Sequence, residues 1–195
     1  MNSTSESVSV PVLQGSRCRL RALTLDDAPD LQRYADNELV WRNLFEGFPR
    51  PYTLADAQDW CAVTSHSPAM GFVWGIELEG QIVGCISVRP ESGWMRCNAE
   101  VGYWIGQPCW GRGVTSDALG LVTAWVWSQL PEVTRLFAPI FAWNAGSQGV
   151  ARKCGYYKEA DLRRSAIKAG QVIDRVQWAI LRPDIVNRHH GTITL

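Results

Sequence analysis

Glu100-Val-Gly-Tyr-Trp-Ile-Gly-Gln-Pro-Cys-Trp-Gly-Arg-Gly-Val-Thr-Ser-Asp-Ala-Leu119 passes from a strand pattern through a glycine loop into a helix pattern. Val101, Tyr103 and Ile105 are strand formers at alternate positions, as a buried strand requires. Gly111 and Gly113 bracket one basic residue, Arg112. From Val114 onward apolar residues recur at helical spacing, at Ala118, Leu121, Val122 and Trp125. A glycine loop that feeds a helix N-terminus offers free backbone N–H groups to an anion, and the missing Cβ atoms let a phosphate come close. The segment therefore predicts a phosphate-bearing ligand. It is not a P-loop, because no Lys follows either glycine. Nor is it the dinucleotide fingerprint, because Ser116 stands where G-x-G-x-x-G needs its third glycine. Alone, G-x-G also describes an ordinary tight turn. Its weight comes from the strand before it, the helix after it and a second segment downstream.

That second segment is Asn144-Ala-Gly-Ser147-Gln-Gly-Val150-Ala-Arg-Lys153-Cys-Gly155-Tyr156. Asn144 ends an apolar, strand-like run from Leu136 to Trp143. Ser147 is placed to cap a short helix through Val150, Ala151 and Lys153, and Gly155 suits the left-handed residue after a helix end. Together the two segments resemble the GNAT superfamily of acyl-CoA-dependent N-acyltransferases, and within it the Rim-type branch of ribosomal-protein N-terminal acetyltransferases. That branch carries a W-G-x-G-x-A-like loop, matched by Trp110-Gly-Arg-Gly-Val-Thr115 except that Thr115 stands where Gly or Ala is usual. It also carries N-x-x-S-x-x-V-x-x-x-x-G-[FY], which Asn144, Ser147, Val150, Gly155 and Tyr156 match in full. The resemblance covers roughly residues 16–183.

Composition agrees with one globular domain. The chain has 195 residues, 46% of them hydrophobic, enough for a single core. Formal net charge is zero, which argues against a nucleic-acid partner. No apolar run spans a membrane and no signal-peptide pattern opens the chain. The six cysteines form no C-x-x-C pair and sit at no zinc-finger spacing. They read as reduced, mostly buried thiols of a cytoplasmic protein. His66, His189 and His190 supply no ligand constellation, so no metal is expected. Residues 1–10 are expected to form a flexible arm, residues 11–186 the single acyltransferase domain, and residues 187–195 a tail.

Periodicity gives a mixed α/β (α+β) chain. A strand is expected over Arg17–Leu23. A helix should open at the capping box of Thr24 and Asp27 and run to about Asn37, and another should run from Thr53 to about Thr64. Phe72–Leu78 and Gln81–Val88 read as a hairpin turning at Glu79-Gly80. Cys97–Ile105 is the strand before the glycine loop, Ser116–Gln129 the main helix, and Arg135–Trp143 the next strand. Tyr157–Ile167 and Val172–Leu181 close the sheet across Ala169-Gly170. The order is that of the GNAT fold: a central, mixed, mostly antiparallel twisted sheet of about seven strands, with a splayed parallel pair and flanking helices.

The resemblance implies a cosubstrate, acetyl-CoA, and roles for particular residues. Tyr103, Trp104 and Ile105 would pair with pantetheine as an added strand. Backbone N–H groups of Trp110, Gly111, Arg112, Gly113, Val114 and Thr115 would hold the pyrophosphate. The Arg112 side chain would add charge or simply be solvated. Asn144 would reach the pantetheine arm, or serve only as a turn residue. Many family members place a Tyr acid where this chain has Ala151. Ser147, one turn earlier, becomes the thiolate partner, alongside its possible role as a cap. Glu100 is the candidate base for the amine, acting through water, or else a solvent-facing carboxylate. Tyr103 and Tyr156 are weaker candidates. Cys109 could carry the acyl group, but packing is the simpler reading.

The chain holds ten tryptophans. Trp41, Trp74, Trp94 and Trp104, with Phe45, Phe48 and Tyr52, fall in or near segments that flank the acceptor cleft in this family, under a loop formed by Arg42–Tyr52; an aromatic acceptor pocket is one reading, and ordinary core and dimer-interface packing is the reading for most of them. The implied activity is transfer of an acetyl group to a primary amine of a small molecule or a peptide or protein N-terminus, by a homodimer. A non-catalytic acyl-CoA-binding module of the same fold is the alternative.

Overall fold

The structure, a computed structural model, describes residues 10–66 and 70–183. The arm before Val10, the tail 187–195 and the side chains of His66, His189 and His190 lie outside the described residues. In chain order the elements are β1 (Leu13–Gln14), β2 (Arg19–Arg21), α1 (Ala28–Ala35), α2 (Glu38–Trp41), α3 (Leu54–His66), β3 (Phe72–Leu78), β4 (Gln81–Pro90), β5 (Asn98–Ile105), α4 (Val114–Gln129), β6 (Arg135–Phe141), α5 (Ala145–Lys153), β7 (Tyr157–Lys168) and β8 (Gln171–Leu181). One eight-stranded sheet runs in the order β1-β2-β3-β4-β5-β6-β8-β7. Among the described residues, only β5 and β6 are parallel neighbours. The added strand over the expected seven is β1, whose two residues are too short to show alternation.

Helices cover both faces. On one, Ala118, Leu119, Val122 and Val126 of α4 and Ala151 of α5 pack on Val88, Val101 and Leu136. On the other, Ala28 and Leu31 of α1 and Ala57 and Cys61 of α3 pack on Ile82 and Cys85 of β4. The first core also takes in Val10, which is buried, and Trp74, which is fully buried and donates its indole N–H to the Pro11 carbonyl at 2.9 Å.

Local chemistry sets the element ends. Thr24 and Asp27 form the expected box, and Arg21 grips the same carboxylate through two contacts of 2.8 Å. The helix expected to reach Asn37 is broken into two. Asn37 caps α2 by accepting the Leu39 and Val40 N–H groups at 2.9 and 3.3 Å, which ends α1 before it. The hairpins turn at Glu79-Gly80 and Ala169-Gly170, where all four residues have positive φ. That is the twist-matched geometry that favours a glycine in second place.

Candidate active site

β5 and β6 pair at only three positions, Asn98–Arg135, Ala99–Leu136 and Glu100–Phe137. Beyond Glu100, β5 follows β4 up to Gly84–Ile105, while β6 follows β8 up to Phe141–Arg175. The strands splay, and a cleft of about 480 Å³ opens between them. Tyr103, Trp104 and Ile105 line one side, and Trp143, Asn144, Gly146, Ser147 and Val150 the other. Trp110, Gly111 and Thr115 of the glycine loop stand at one end. Of the residues expected at the site, Tyr103, Trp104, Ile105, Trp110, Gly111, Thr115, Asn144 and Ser147 line this cleft, brought together from two segments about forty positions apart, and Arg112, Gly113 and Val114 do not.

α2 crosses over the cleft. At its start the Asn37 side chain donates to Gln107 Oε1 at 2.9 Å, beside the glycine loop. Past its end Asn43 Oδ1 accepts the Trp143 indole N–H at 3.1 Å, at the far side of the splay. Leu39, Val40, Arg42, Asn43 and Leu44 form the roof. The loop that follows α2 is anchored from outside. Lys168 Nζ sits 3.6 Å over the Trp41 ring, and Glu46 accepts the Ala169 N–H at 2.8 Å. Burial holds the Lys168 ammonium below its ordinary pKa. Phe48 stacks on Tyr52 with centroids 4.9 Å apart and meets the Trp104 edge, which joins this loop to the cleft wall.

In the glycine loop, Gly111 and Gly113 have φ of 74° and 77°, a region that favours glycine. Gly113 precedes the first residue of α4, and the first N–H of that helix with an intrahelical acceptor is that of Asp117, bonded to Gly113 at 3.1 Å. The N–H groups of Val114, Thr115 and Ser116 have no carbonyl inside the helix to meet. Only the backbone of Val114 can serve an anion, since its side chain is buried in the core. Arg112 turns away from the cleft to Glu79, 3.5 Å off. The basic residue that does lie on the loop is Arg17. Its Nη1 donates to the Arg112 carbonyl at 3.2 Å, and its side chain passes over Gly113. The Ile105 carbonyl already accepts the Trp110 indole N–H at 2.9 Å. Trp104 opposes Cys85 and turns its backbone to β4, so the edge toward the splay belongs to Tyr103 and to the Ile105 N–H.

At α5 the cap is shifted from the expected residue. Asn144, not Ser147, is the N-cap: its Oδ1 accepts the Ser147 N–H at 3.1 Å, three residues on. Its Nδ2 donates to Ser147 Oγ at 2.9 Å, so both ends of the Asn144 amide face Ser147. Ser147 Oγ thus receives a hydrogen bond and keeps its own proton to give. Tyr103 crosses the splay and donates its phenol to the Ser147 backbone carbonyl at 2.9 Å, and burial pushes that phenol well above the usual range. Tyr156 is buried, bonded to Thr123 at 3.0 Å, and shifted the same way. Ala151 has no exposure and faces the core, so its position could not present a tyrosine acid to the cleft without repacking.

Glu100 lies where β5 and β6 part, but its carboxylate pairs with Arg89, its cross-strand neighbour on β4, at 2.7 Å. It is not among the residues lining the cleft. Two of the tryptophans stand away from the cleft. Trp74 belongs to the core, and Trp94 is 88% exposed on the turn before β5, at the opposite end from the cleft. None of the six cysteines is in a disulfide, and burial pushes the Cys109 thiol up, which keeps it protonated and suits packing better than acyl transfer. Among the described residues no group of three His, Cys, Asp or Glu side chains could hold a metal, and no helix is long and apolar enough to cross a membrane.

A splayed parallel pair between a glycine loop and a capped short helix defines an acetyltransferase fold. The Acetyltransferase (GNAT) domain family matches residues 17–157, and the chain belongs to it. The uncharacterized N-acetyltransferase YoaA of Bacillus subtilis (strain 168) is 27% identical over 179 residues, covering 89% of this chain and 98% of YoaA. Mycobacterium smegmatis RimJ in complex with CoA-disulfide shares the fold at TM-score 0.79 and 20% identity, over 90% of each chain. A GNAT-family acetyltransferase from Bacillus anthracis does so at TM-score 0.76 and 18% identity, over 88% of this chain and 98% of its own.

Proposed function

We propose that the protein is an N-acetyltransferase that carries the acetyl group of acetyl-CoA directly to a primary amine, on a small molecule or a peptide or protein N-terminus. The observation that carries this reading is the continuity of one cleft, from the glycine-loop N–H groups at Gly111 and Thr115 to the free hydroxyl proton of Ser147. The structure of RimJ with a CoA-disulfide supports the choice of cosubstrate.

On this reading the N–H groups from Gly111 to Ser116 hold the pyrophosphate, with Arg17 adding charge. Pantetheine lies along the edge of β5 that β6 leaves at Glu100, pairing chiefly with the Tyr103 backbone and the Ile105 N–H. The neutral amine attacks the thioester carbonyl carbon, a C–N bond forms, and the C–S bond breaks. Ser147 Oγ–H stabilises the leaving thiolate, with Asn144 Nδ2 holding the hydroxyl in aim. The thiolate takes up one proton and the new amide nitrogen gives one up. Glu100 acts before attack, taking the acceptor ammonium's proton through water so that the amine is neutral. The enzyme works in the cytoplasm as a homodimer. Apolar side chains exposed around the β7–β8 turn and the loop beside it, Phe45, Ile167 and Val172, are the surface offered to a second copy.

The test is calorimetric titration with acetyl-CoA, followed by thiol release over a panel of amines, with light scattering for the oligomer. Binding and amine-dependent thiol release are expected. Absence of acetyl-CoA binding overturns the reading. Binding without turnover of any amine makes the chain an acyl-CoA-binding module.

A further inference from the structure

The roof of the cleft carries a charge with no neutralising partner among the described residues. Of those residues, Arg42 is the only charged one lining the cleft, and no carboxylate lines it. The other cations on this flank are engaged. Arg50 meets Glu38 at 3.3 Å and the Trp41 ring, Arg89 meets Glu100, Arg135 meets Glu159, Arg175 donates to Ser165 at 3.1 Å, and Lys168 is buried over Trp41. The Arg42 guanidinium has no acid, hydrogen-bond acceptor or ring as partner among the described residues. The residue is exposed to solvent and shares the lining of the cleft with Leu39, Leu44, Trp143 and Trp104. A planar guanidinium beside apolar walls suits bidentate capture of a carboxylate.

The anion it takes is set by where it stands along α2. Asn37, at the start of the helix, is tied to Gln107 beside the glycine loop, and Asn43 is tied to Trp143 on the opposite strand. At about 1.5 Å of rise per residue, Arg42 sits roughly 7–8 Å along the helix from the glycine-loop end. The loop already has its own donors, the N–H groups of α4 and Arg17. Arg42 therefore serves the acceptor side of the cleft rather than the pyrophosphate.

Resting on the acetyltransferase reading above, we infer that Arg42 selects acceptors whose primary amine lies near a carboxylate, as in a free α-amino acid or a peptide N-terminus with an acidic second residue. The zero net charge of the chain hides this preference, because the charge that matters is local.

The test uses two matched pairs: serine against serinamide, and Ser-Asp-Ala-amide against Ser-Asn-Ala-amide. Each is assayed by thiol release with the full-length wild type and Arg42→Gln, with acetyl-CoA affinity measured for both by calorimetry. In at least one pair the wild type is expected to favour the anionic member in kcat/KM by about 10- to 100-fold, the range of one hydrogen-bonded charge. Which pair shows the effect tells the free amino acid from the peptide. Arg42→Gln should shrink the ratio to within about threefold, leave acetyl-CoA affinity unchanged and keep turnover of the neutral members, which also shows that it folds. An equal wild-type preference within both pairs overturns the inference, as does a preference that survives Arg42→Gln. Turnover confined to amines without a carboxylate also overturns it. A tenfold loss of acetyl-CoA affinity in the variant would assign Arg42 to the cosubstrate instead. Failure of the wild type to bind acetyl-CoA removes the acetyltransferase reading itself, a result distinct from all of these.

Discussion

Two substitutions at Gly113 separate what the glycine loop does for the fold from what it does for the ligand. Gly113 holds φ at 77°, so any other residue there is strained. A Cβ would meet only the flexible Arg17 side chain, at 3.3 Å, which can shift by a few tenths of an ångström. The cost of Gly113→Ala is therefore mainly the left-handed backbone, about 1–2 kcal/mol. For a chain of this size that lowers Tm by roughly 2–8 °C. Gly113→Asp has the same backbone but a residue that tolerates the left-handed region better, and it puts a carboxylate at the positive end of α4. The Asp variant should be at least as stable as the Ala variant. Its affinity for CoA should move the other way. A carboxylate about 6 Å from a phosphate charge costs about 0.7–3 kcal/mol as the effective dielectric falls from 80 to 20, which is about 3- to 100-fold in Kd. Raising the salt should narrow the Asp deficit and leave the Ala deficit unchanged. Thermal melts and CoA titrations at two salt concentrations measure both. If the Asp and Ala variants bind CoA equally at low salt, the pyrophosphate does not lie at this loop.

Ser147→Ala should lower kcat by roughly ten- to a thousand-fold with little change in acetyl-CoA KM, since the hydroxyl acts as charge develops on sulfur; wild-type kcat would exclude it as the thiolate partner. Because Asn144 is the cap, Asn144→Ala and not Ser147→Ala should carry the stability loss, about 1 kcal/mol, read as a fall in melting temperature. Glu100→Gln should depress kcat/KM below the amine's pKa and recover above it; a flat ratio of mutant to wild-type rate across pH rules Glu100 out as the base. Burial pushes Cys85 up to about 12 from an ordinary 9.0, so above pH 9 the unfolded chain gives up a proton that the folded chain keeps. Stability should then fall with rising pH by about 1.4 kcal/mol per unit for this thiol, and be unaffected by it below that range. Urea unfolding at pH 8 and 10 should show a shallower slope for Cys85→Ala than for wild type, and identical slopes would refute the assignment.

What could be read without coordinates was what the backbone demands locally. Gly111 and Gly113 need positive φ, the Glu79-Gly80 and Ala169-Gly170 turns need it too, and Thr24 with Asp27 needs only three residues to form its box. Phe72–Leu78 shows the boundaries expected from its pattern because a hairpin turn fixes its end. Features set by partners distant in sequence were hidden. Arg17 lies 95 residues from the loop it touches. Trp74 and Trp104 look alike in strand patterns, yet one is core and the other lines the cleft, because sheet register decides the face. The pairing of Glu100 with Arg89 depends on the β4–β5 register across an irregular turn. Asn144 and Ser147 are both good caps, and only the start of α5 at Ala145 tells which one acts. Arg42 carried no signal, because its meaning comes from where α2 crosses the splay.

The splay itself follows from how the sheet is divided. Past Glu100, β5 keeps bonding to β4, and the ladder is prolonged by the Gly106 N–H to the Val83 carbonyl at 2.8 Å. β6 keeps bonding to β8, and the Ala142 N–H continues that ladder to Asp174 at 3.0 Å. Each inner strand thus follows its antiparallel neighbour, and sheet twist carries the two halves apart. The backbone groups left at the seam need partners. Trp110 supplies one for Ile105, and the Tyr103 phenol reaches across to the Ser147 carbonyl in the first turn of α5. That second bond joins the half-sheet that offers a strand edge to the helix that offers a hydroxyl. The edge and the hydroxyl are therefore held in one frame, as the direct transfer proposed above requires: on that proposal the thioester is positioned by one half of the sheet and its leaving sulfur is met by a group fixed to the other.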